Sequence, residues 1–399
     1  MNNIRITQIG TDGDNNAFFP SPGGGKICTG KDGKSTFVAY ASASGAVTLS
    51  FDGDVWSRGA LLPISRPYMV IDSTGFIHIF GLGEKGVWHF QSQKPNSVVY
   101  FDNGERIYPP NYSAAAIDVE DTLYYFGAGL EGFAFVKKPQ GGSWTPPFKL
   151  VTGGIYPGVF IHNSTLHLIY CGWNPISQLY EGVYYMKSED KGETWQKSDG
   201  APLNIPVQHK SGQEELLCLT QNTGGGEANT HDLCIMVDCE GKVHVLYWYS
   251  RPYFIAFGTA AGGKEEPNVR VKHLRLDKDG WKHNHLCEAL DRDVAYAVMT
   301  QVERGEIPQS GDNNGRRIHT VVTHKHVSDA FYDVGYLFSD DNGEHWSAIQ
   351  PVTTDANKRK LSYAHPAINR GSNRNKIQFV FNMWTGKNPS PIYYGEVEV

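Results

Sequence analysis

A two-strand unit recurs seven times along the chain and limits what it can fold into. Each copy runs from an apolar strand through a tight Asp/Asn/Gly turn to a second apolar strand that ends in aromatics. The copies are Lys26 to Ala41, Arg66 to Phe80, Tyr112 to Phe126, Tyr156 to Tyr170, His231 to Trp248, Val294 to Thr323 with a longer polar turn, and His365 to Phe381. After most of them a further pair of strands follows around a Gly/Asp turn and a Trp, as in Val183 to Trp195 and Tyr332 to Trp346. Four strands per unit at a spacing of roughly 45 to 65 residues is the pattern of propeller blades, and helical periodicity is nearly absent. Length alone would suggest two or three domains for 399 residues. Repetition overrides that expectation, and the sequence predicts one all-β domain over residues 1–399, a seven-bladed β-propeller of four-stranded antiparallel blades.

The seventh unit supplies a third strand, Pro391 to Val399, and stops one strand short of a blade. Asn3 to Ile9 has the alternation of an outer strand and precedes the first blade. This N-terminal strand is expected to complete the last blade, which removes an exposed edge and ties the ring shut.

A net charge of −6 argues against a nucleic-acid partner, because phosphate backbones need a concentrated basic surface. No segment approaches the ~18 apolar residues of a membrane span, and Met1 to Gly10 has no secretory signal. The chain as given reads as soluble and cytoplasmic, or as secreted or periplasmic if a signal peptide has been removed. Its six cysteines show no CxxC and no regular spacing; Cys28, Cys171 and Cys234 fall in apolar strands as small hydrophobes. No cofactor is firmly implied. Asp12-Gly13-Asp14-Asn15-Asn16 could hold Ca²⁺ through oxygen ligands, but it lacks the downstream bidentate Glu and reads as a solvated turn.

Two turns carry a more specific signal. Ser188-Glu189-Asp190-Lys191-Gly192-Glu193-Thr194-Trp195 fits S-x-D-x-G-x-T-W without deviation, and Ser339 to Trp346 departs only by His345 in place of Thr. They resemble Asp-boxes, which recur in sialidases and many other propellers: the Asp bonds turn N–H groups, the Gly takes positive φ, and the Trp packs between blades. Together with Arg106 to Phe126, Val183 to Val207 and the order of blades, they make the chain similar to the BNR-repeat propellers that include ulvan lyases, rhamnose-glucuronate lyases and rhamnosidases. That resemblance implies an acidic, uronic-acid-containing glycan as partner. One departure matters. Lyases of that family carry a His before the proline that opens the second blade and another after that blade's second strand. Here the stretches read Ile64-Ser65-Arg66-Pro67 and Leu82-Gly83-Glu84-Lys85-Gly86. His78 and His89 lie within strands and read as packing residues.

Propeller geometry puts the starts of first strands and the ends of second strands on one face, where functional side chains should gather. Those positions are Lys26, Arg66 and Lys85, then Tyr108, Asn111, Tyr156, Trp173 and Asn174, then His231, Trp248, Tyr249 and Arg251. Arg292, Asp293, Tyr296, His324, His326, His365 and Trp384 complete the set. Aromatic rings stack on sugar CH faces, and Arg holds a carboxylate in two parallel bonds. A uronate lyase neutralises the carboxylate, removes the C5 proton and protonates the leaving oxygen. Arg66, Arg251 or Arg292 is a candidate for the first role, His231, His324, His326 or His365 for the second, and Tyr249 or Tyr156 for the third.

The reading adopted is a lyase acting by β-elimination on such a glycan. A hydrolase of the same propeller family, rhamnosidase- or sialidase-like, would want two carboxylates, or a Tyr helped by Glu with three arginines; Asp293, Glu84 and Asp232 are the nearby acids. A non-catalytic glycan-binding propeller is the third reading, against which the rim residues differ from blade to blade. The insert Tyr253 to Pro267 is the expected lid.

Overall fold

The structure is a computed structural model that describes residues 3–19, 25–107, 112–129, 132–174, 179–218, 228–250, 269–287, 289, 291–301, 317–370, 376–386 and 388–399. Its strands form six sheets, one of them eight-stranded. That large sheet divides where a single residue pair, Gly13 with Ser42, joins its halves. Treating the halves separately leaves, among the described residues, seven successive antiparallel units of four strands each. Their first strands are Ile27–Thr29, Ser65–Ile71, Tyr112–Ile117, Gly154–His162, Ala228–Val237, Arg292–Gln301 and Ser362–Ile368. The third unit gains a short fifth strand, Val207–Gln208, parallel to Phe148–Thr152. A single α-helical turn, Ala356–Arg359, is the only helix among the described residues, and no helix is long and apolar enough to cross a membrane.

From the second unit to the seventh, each first strand contacts the first strand of the next. Contacts then return from the seventh to the first: Asn369 Nδ2 donates to Thr29 Oγ1 at 2.7 Å and Gln378 Nε2 to Thr36 Oγ1 at 3.0 Å, while Ala367 and Val380 share an apolar cluster with Ile27 and Val38. The seventh unit is Ser362–Ile368, Lys376–Trp384, Ser390–Glu398 and, as its fourth strand, Ile4–Gly13. The N-terminal strand pairs antiparallel with Ser390–Glu398 from Ile4 opposite Val397 to Gly13 opposite Ser390. Pairing covers what would be an open sheet edge.

Both Asp-box turns close on their Asp. In the first, Ser188 Oγ donates to Asp190 Oδ1 at 2.8 Å, Asp190 accepts the Thr194 N–H and hydroxyl, and Gly192 turns at φ 86°. Trp195, 2 % exposed, then packs edge-on against Phe126 and Phe135 of the preceding unit. In the second, His345 Nδ1 lies 2.6 Å from Asp341 Oδ2, where the imidazole replaces the Thr hydroxyl.

The strand histidines are core groups, and they repeat. The second residue of the second strand is His78, His244 or His319 in three units and the third is His167 in a fourth, each buried. Each meets a third-strand partner: His89 at 3.0 Å, Tyr185 Oη at 2.7 Å, His273 at 2.9 Å and Tyr336 Oη at 2.7 Å. Pairing gives each of these polar rings a hydrogen-bond partner in the core. Burial, with the neighbouring His89, pulls His78 down to about 4, and burial pulls His167 down to about 4. An unfolded imidazole binds its proton near pH 6.5, so between pH 6.5 and 4 the unfolded chain holds more protons and stability falls as pH falls. Each of these two rings is expected to withdraw up to roughly 3 kcal/mol by pH 4. Urea midpoints at pH 7.5, 6 and 4.5 check this, and His167→Gln should flatten the profile; a midpoint that does not move between pH 7.5 and 4.5 would contradict it.

Candidate active site

Four side chains reach the centre from an irregularity that the first strands share. In the second, fourth, sixth and seventh units the register with the second strand breaks near the start of the first strand, between Ser65 and Tyr68, Ile155 and Gly158, Ala295 and Val298, and Ala364 and Ala367. Inside these bulges Arg66, Tyr156, Tyr296 and His365 take left-handed φ values of 51°, 55°, 40° and 48°. A non-glycine residue there is held at a cost by its surroundings, and a bulge re-aims its side chain. Pro67, Pro157 and Pro366 follow three of the four; lacking an N–H, a proline suits a position that gives up its ladder bond. The fifth unit breaks register likewise between His231 and Cys234.

Three of the four meet at Phe19, and Tyr296 joins them through His365. The Arg66 guanidinium carbon lies 5.8 Å from the Phe19 ring centre, and the rings of His365 and Tyr156 stand edge-on to it at 5.6 and 6.3 Å. His365 meets Tyr296 at 4.9 Å, with Trp248 at 6.0 Å beyond. On the other side Tyr156 and Tyr180 bring their hydroxyls to 3.3 Å, and Trp173 packs on Tyr180 at 5.0 Å. Tyr156, Tyr296 and His365 are buried, whereas Phe19, Arg66, Tyr180 and Trp173 are half-buried, so the open side of the cluster is the one formed by the latter four.

Phe19 is delivered by the turn that follows the N-terminal strand. Asn15 anchors it to the seventh unit: its side-chain oxygen accepts from Thr385 N at 3.0 Å and Ser390 Oγ at 2.9 Å, and its carbonyl accepts from Asn382 Nδ2 at 2.9 Å. Ala17 and Phe18 are wholly buried beside Tyr40. The candidate Ca²⁺ oxygens in this turn are engaged by protein donors instead: Asp12 by Tyr40 Oη at 2.6 Å and Arg58 at 2.8 Å, and Asp14 by Asn16 N at 2.7 Å. Within this segment Gly13 is buried, Asp12, Asp14 and Asn15 are half-buried and Asn16 is exposed.

Lys26 and Asp14 add charge behind the cluster. The wholly buried Lys26 donates its Nζ to the Pro67 carbonyl and lies 5.9 Å from the Tyr68 ring centre. Burial first, and the Arg66 charge second, lower its ammonium to about 7, with Asp14 opposing. Burial raises the Asp14 carboxyl, against the charges of Lys26 and Arg66.

Other expected site residues stand apart from Phe19. Arg292 bonds the His324 ring at 3.3 Å and lines an outer groove with His285 and Trp346; burial lowers His324 to about 4. Asp293 is buried on Lys325 at 3.4 Å and Val269 N at 3.1 Å, and His326 pairs with Asp291 at 3.2 Å. Lys85 is a turn residue, largely exposed beside Glu84. Tyr249 lies under the Lys272 ammonium at 4.9 Å, while Trp248, 2 % exposed, is a packing residue behind Tyr296. Trp384 ends its strand next to Thr385 and so flanks the Asn15 anchor. Tyr108, Asn111, Arg251, the His231 side chain and the segment 253–267 lie outside the described residues. Sequence reasoning missed Phe19 and Tyr180, which belong to a turn and a third strand outside the rim positions, and it weighed Asp14 only as a calcium ligand. It also missed Glu181, buried beside them with Asn174 at 2.7 Å and Lys210 at 2.6 Å.

Residues 138–289 match a family described as BNR repeat-containing family member. In fold the chain is similar to an ulvan lyase of polysaccharide lyase family PL25, solved bound to -[GlcA(1-4)Rha3S]-, at 16 % identity and a TM-score of 0.72, covering 97 % of this chain and 95 % of that one. It is also similar to the polysaccharide lyase Uly1, at 10 % identity, a TM-score of 0.60 and coverage of 96 % and 90 %. A protein of unknown function from Dyadobacter fermentans aligns at 11 % identity and a TM-score of 0.52 over 99 % of both chains. No curated protein matches. The chain thus resembles the BNR-type propellers that include ulvan lyases.

Proposed function

We propose that this chain is a seven-bladed propeller enzyme that cleaves a uronic-acid-containing glycan by β-elimination at the Phe19 cluster. The observation that carries this is the convergence of an arginine, a histidine and a tyrosine, each from a strained bulge on a different unit, around one half-buried aromatic ring. The ring offers a face to sugar CH groups. Arg66 would grip the uronate carboxylate and so favour the enolate that forms when the C5 proton leaves. His365 would accept that proton, and Tyr156, its hydroxyl backed by Tyr180, would donate to the departing glycosidic oxygen as the C4–O bond breaks. The electron pair of the C5–H bond becomes the C4–C5 double bond. The lyases of similar fold support the reading because one was solved with a glucuronate-containing fragment.

A hydrolase is the second reading, favoured by Asp14, whose raised carboxyl would suit a general acid. Incubation with a panel of uronic-acid polysaccharides separates the two. Absorbance from a new C4–C5 double bond accompanying reducing ends is the expected result. Reducing ends without absorbance would replace elimination with hydrolysis, and binding without either would leave a glycan-binding protein.

Lys26 has a testable part in this scheme. Its ammonium, lowered to about 7, loses its charge above neutrality and with it the attraction for a carboxylate held by Arg66. The rate on a uronate substrate is expected to fall on the alkaline side with a midpoint near 7, and Lys26→Met should abolish that limb while slowing the acidic plateau. A limb that persists in the variant would assign it to another group.

A further inference from the structure

Beyond the Phe19 cluster the first strands continue along a cavity of about 450 Å³, bordered by Ile27, Met69, Ala116 and Val159. A second cavity of about 220 Å³, bordered by Met236, Cys239, Thr300 and Gln301, adjoins it. Phe160, Ile161 and Arg370 line both.

Arg370 spans this chamber from the seventh unit to the fifth. One terminal nitrogen donates to the Ile235 carbonyl at 2.6 Å and reaches Cys234 Sγ at 3.4 Å, and the guanidinium carbon lies 5.2 Å from the Phe160 ring centre. Its Nε is buried and has no hydrogen-bond partner. Gln301 is similar. Its Oε1 accepts the Cys239 N–H at 2.7 Å, which fixes the amide so that Nε2 is the free end, and that nitrogen is also buried without an acceptor. The carboxylate that lines the smaller cavity cannot serve either of them. Asp238 is committed to the Glu240 and Lys242 N–H groups at 2.9 and 2.8 Å and to His244 Nε2 at 3.1 Å. Among the described residues no carboxylate pairs with Arg370, and the other cation at the chamber, Lys31, has the same sign. A half-buried guanidinium whose Nε is shut off from water without an acceptor, beside a second such donor, is unfavourable unless an anion supplies both.

We propose that the chamber binds a small oxyanion, a sulfate or a carboxylate, between Arg370 Nε and Gln301 Nε2. The fork of the guanidinium suits two oxygens of such a group, and the amide suits a third contact. This site is separate from the Phe19 cluster and stands whether or not the glycan reading does.

Calorimetric titration of the full chain with sodium sulfate, and separately with sodium glucuronate, at an ionic strength held constant with sodium chloride, tests the proposal. Saturable one-site binding of at least one of them is expected. Sulfate alone would assign the site to the free ion and glucuronate alone to a sugar acid; both would make it general for oxyanions. Arg370→Met should weaken the bound ligand by about 10-fold or more and Gln301→Met by about 3- to 10-fold. Should Arg370→Met fail to fold by circular dichroism, Arg370→Lys, which keeps the charge and loses the fork, replaces it and is expected to weaken binding as well. Neither ligand binding the wild type, or unchanged affinity in the Arg370 and Gln301 variants, would overturn the site.

Discussion

Arg66→Ala is expected to lower kcat/KM on a uronate glycan by about 10²- to 10³-fold, the range seen when a preorganised charge stabiliser is removed. The argument rests on how much of the fold is arranged to hold this one side chain. Arg66 sits in a register break at φ 51°, its guanidinium lies against Phe19, and the carbonyl of the next residue is tied down by Lys26. Alanine removes the cation and leaves the backbone path open. Arg66→Lys should recover little, because an ammonium cannot make the two parallel bonds that a carboxylate takes from guanidinium. Arg292→Ala serves as the matched control: its guanidinium is spent on His324 in the outer groove, so activity within about 3-fold of wild type is expected. Initial rates over a range of substrate concentrations, with circular dichroism to confirm folding, decide it. Equal losses at Arg66 and Arg292 would move the carboxylate-binding role away from Phe19.

Tyr156→Phe should cost about 10²- to 10⁴-fold in kcat, as loss of a positioned proton donor does, with a much smaller change in KM. Phenylalanine retains the ring that stands edge-on to Phe19 and Tyr180 and deletes only the hydroxyl that meets Tyr180 Oη at 3.3 Å. His365→Gln is expected to fall in the same range. The double variant should be little worse than either single one, because groups that act in one proton sequence lose their effects together. A substrate with a good leaving group discriminates further. It needs less protonation at the departing oxygen, so it should restore Tyr156→Phe and leave His365→Gln slow. Restoration of both, or of neither, would reassign the acid.

The repeat was plain in the sequence because each unit is a local object: alternating apolar strands, turn residues at fixed offsets, and Trp195 placed by its Asp-box all depend on neighbours a few residues away. The pairing of the N-terminal strand with the last unit was legible for a different reason, since an alternating segment ahead of the first unit and a missing strand in the last complement each other. The site was harder. Arg66, Tyr156 and His365 could be picked out as starts of first strands, but nothing local says which way a bulged residue points, and Arg292, Asp293 and His324 occupy equivalent positions in the chain yet turn into a groove and a buried ion pair. Phe19 was invisible because its place comes from Asn15, whose partners lie some 370 residues away. The strand histidines gave a partial signal: the place of His78 and His89 inside strands marked those two as packing groups, while the pairing of His78 with His89 and of His244 with His273 appears only once sheets are formed.

The same N-terminal strand that seals the sheet edge also carries the floor of the cleft. Because Ile4–Gly13 pairs along its length with Ser390–Glu398 and meets the first unit only at Gly13, the aromatic ring at Phe19 is fully seated only when the C-terminal segment is in place. A chain that lacks Ser390–Glu398 would therefore hold Arg66, Tyr156 and His365 without the ring beside them, so that the cluster is completed only when that strand docks.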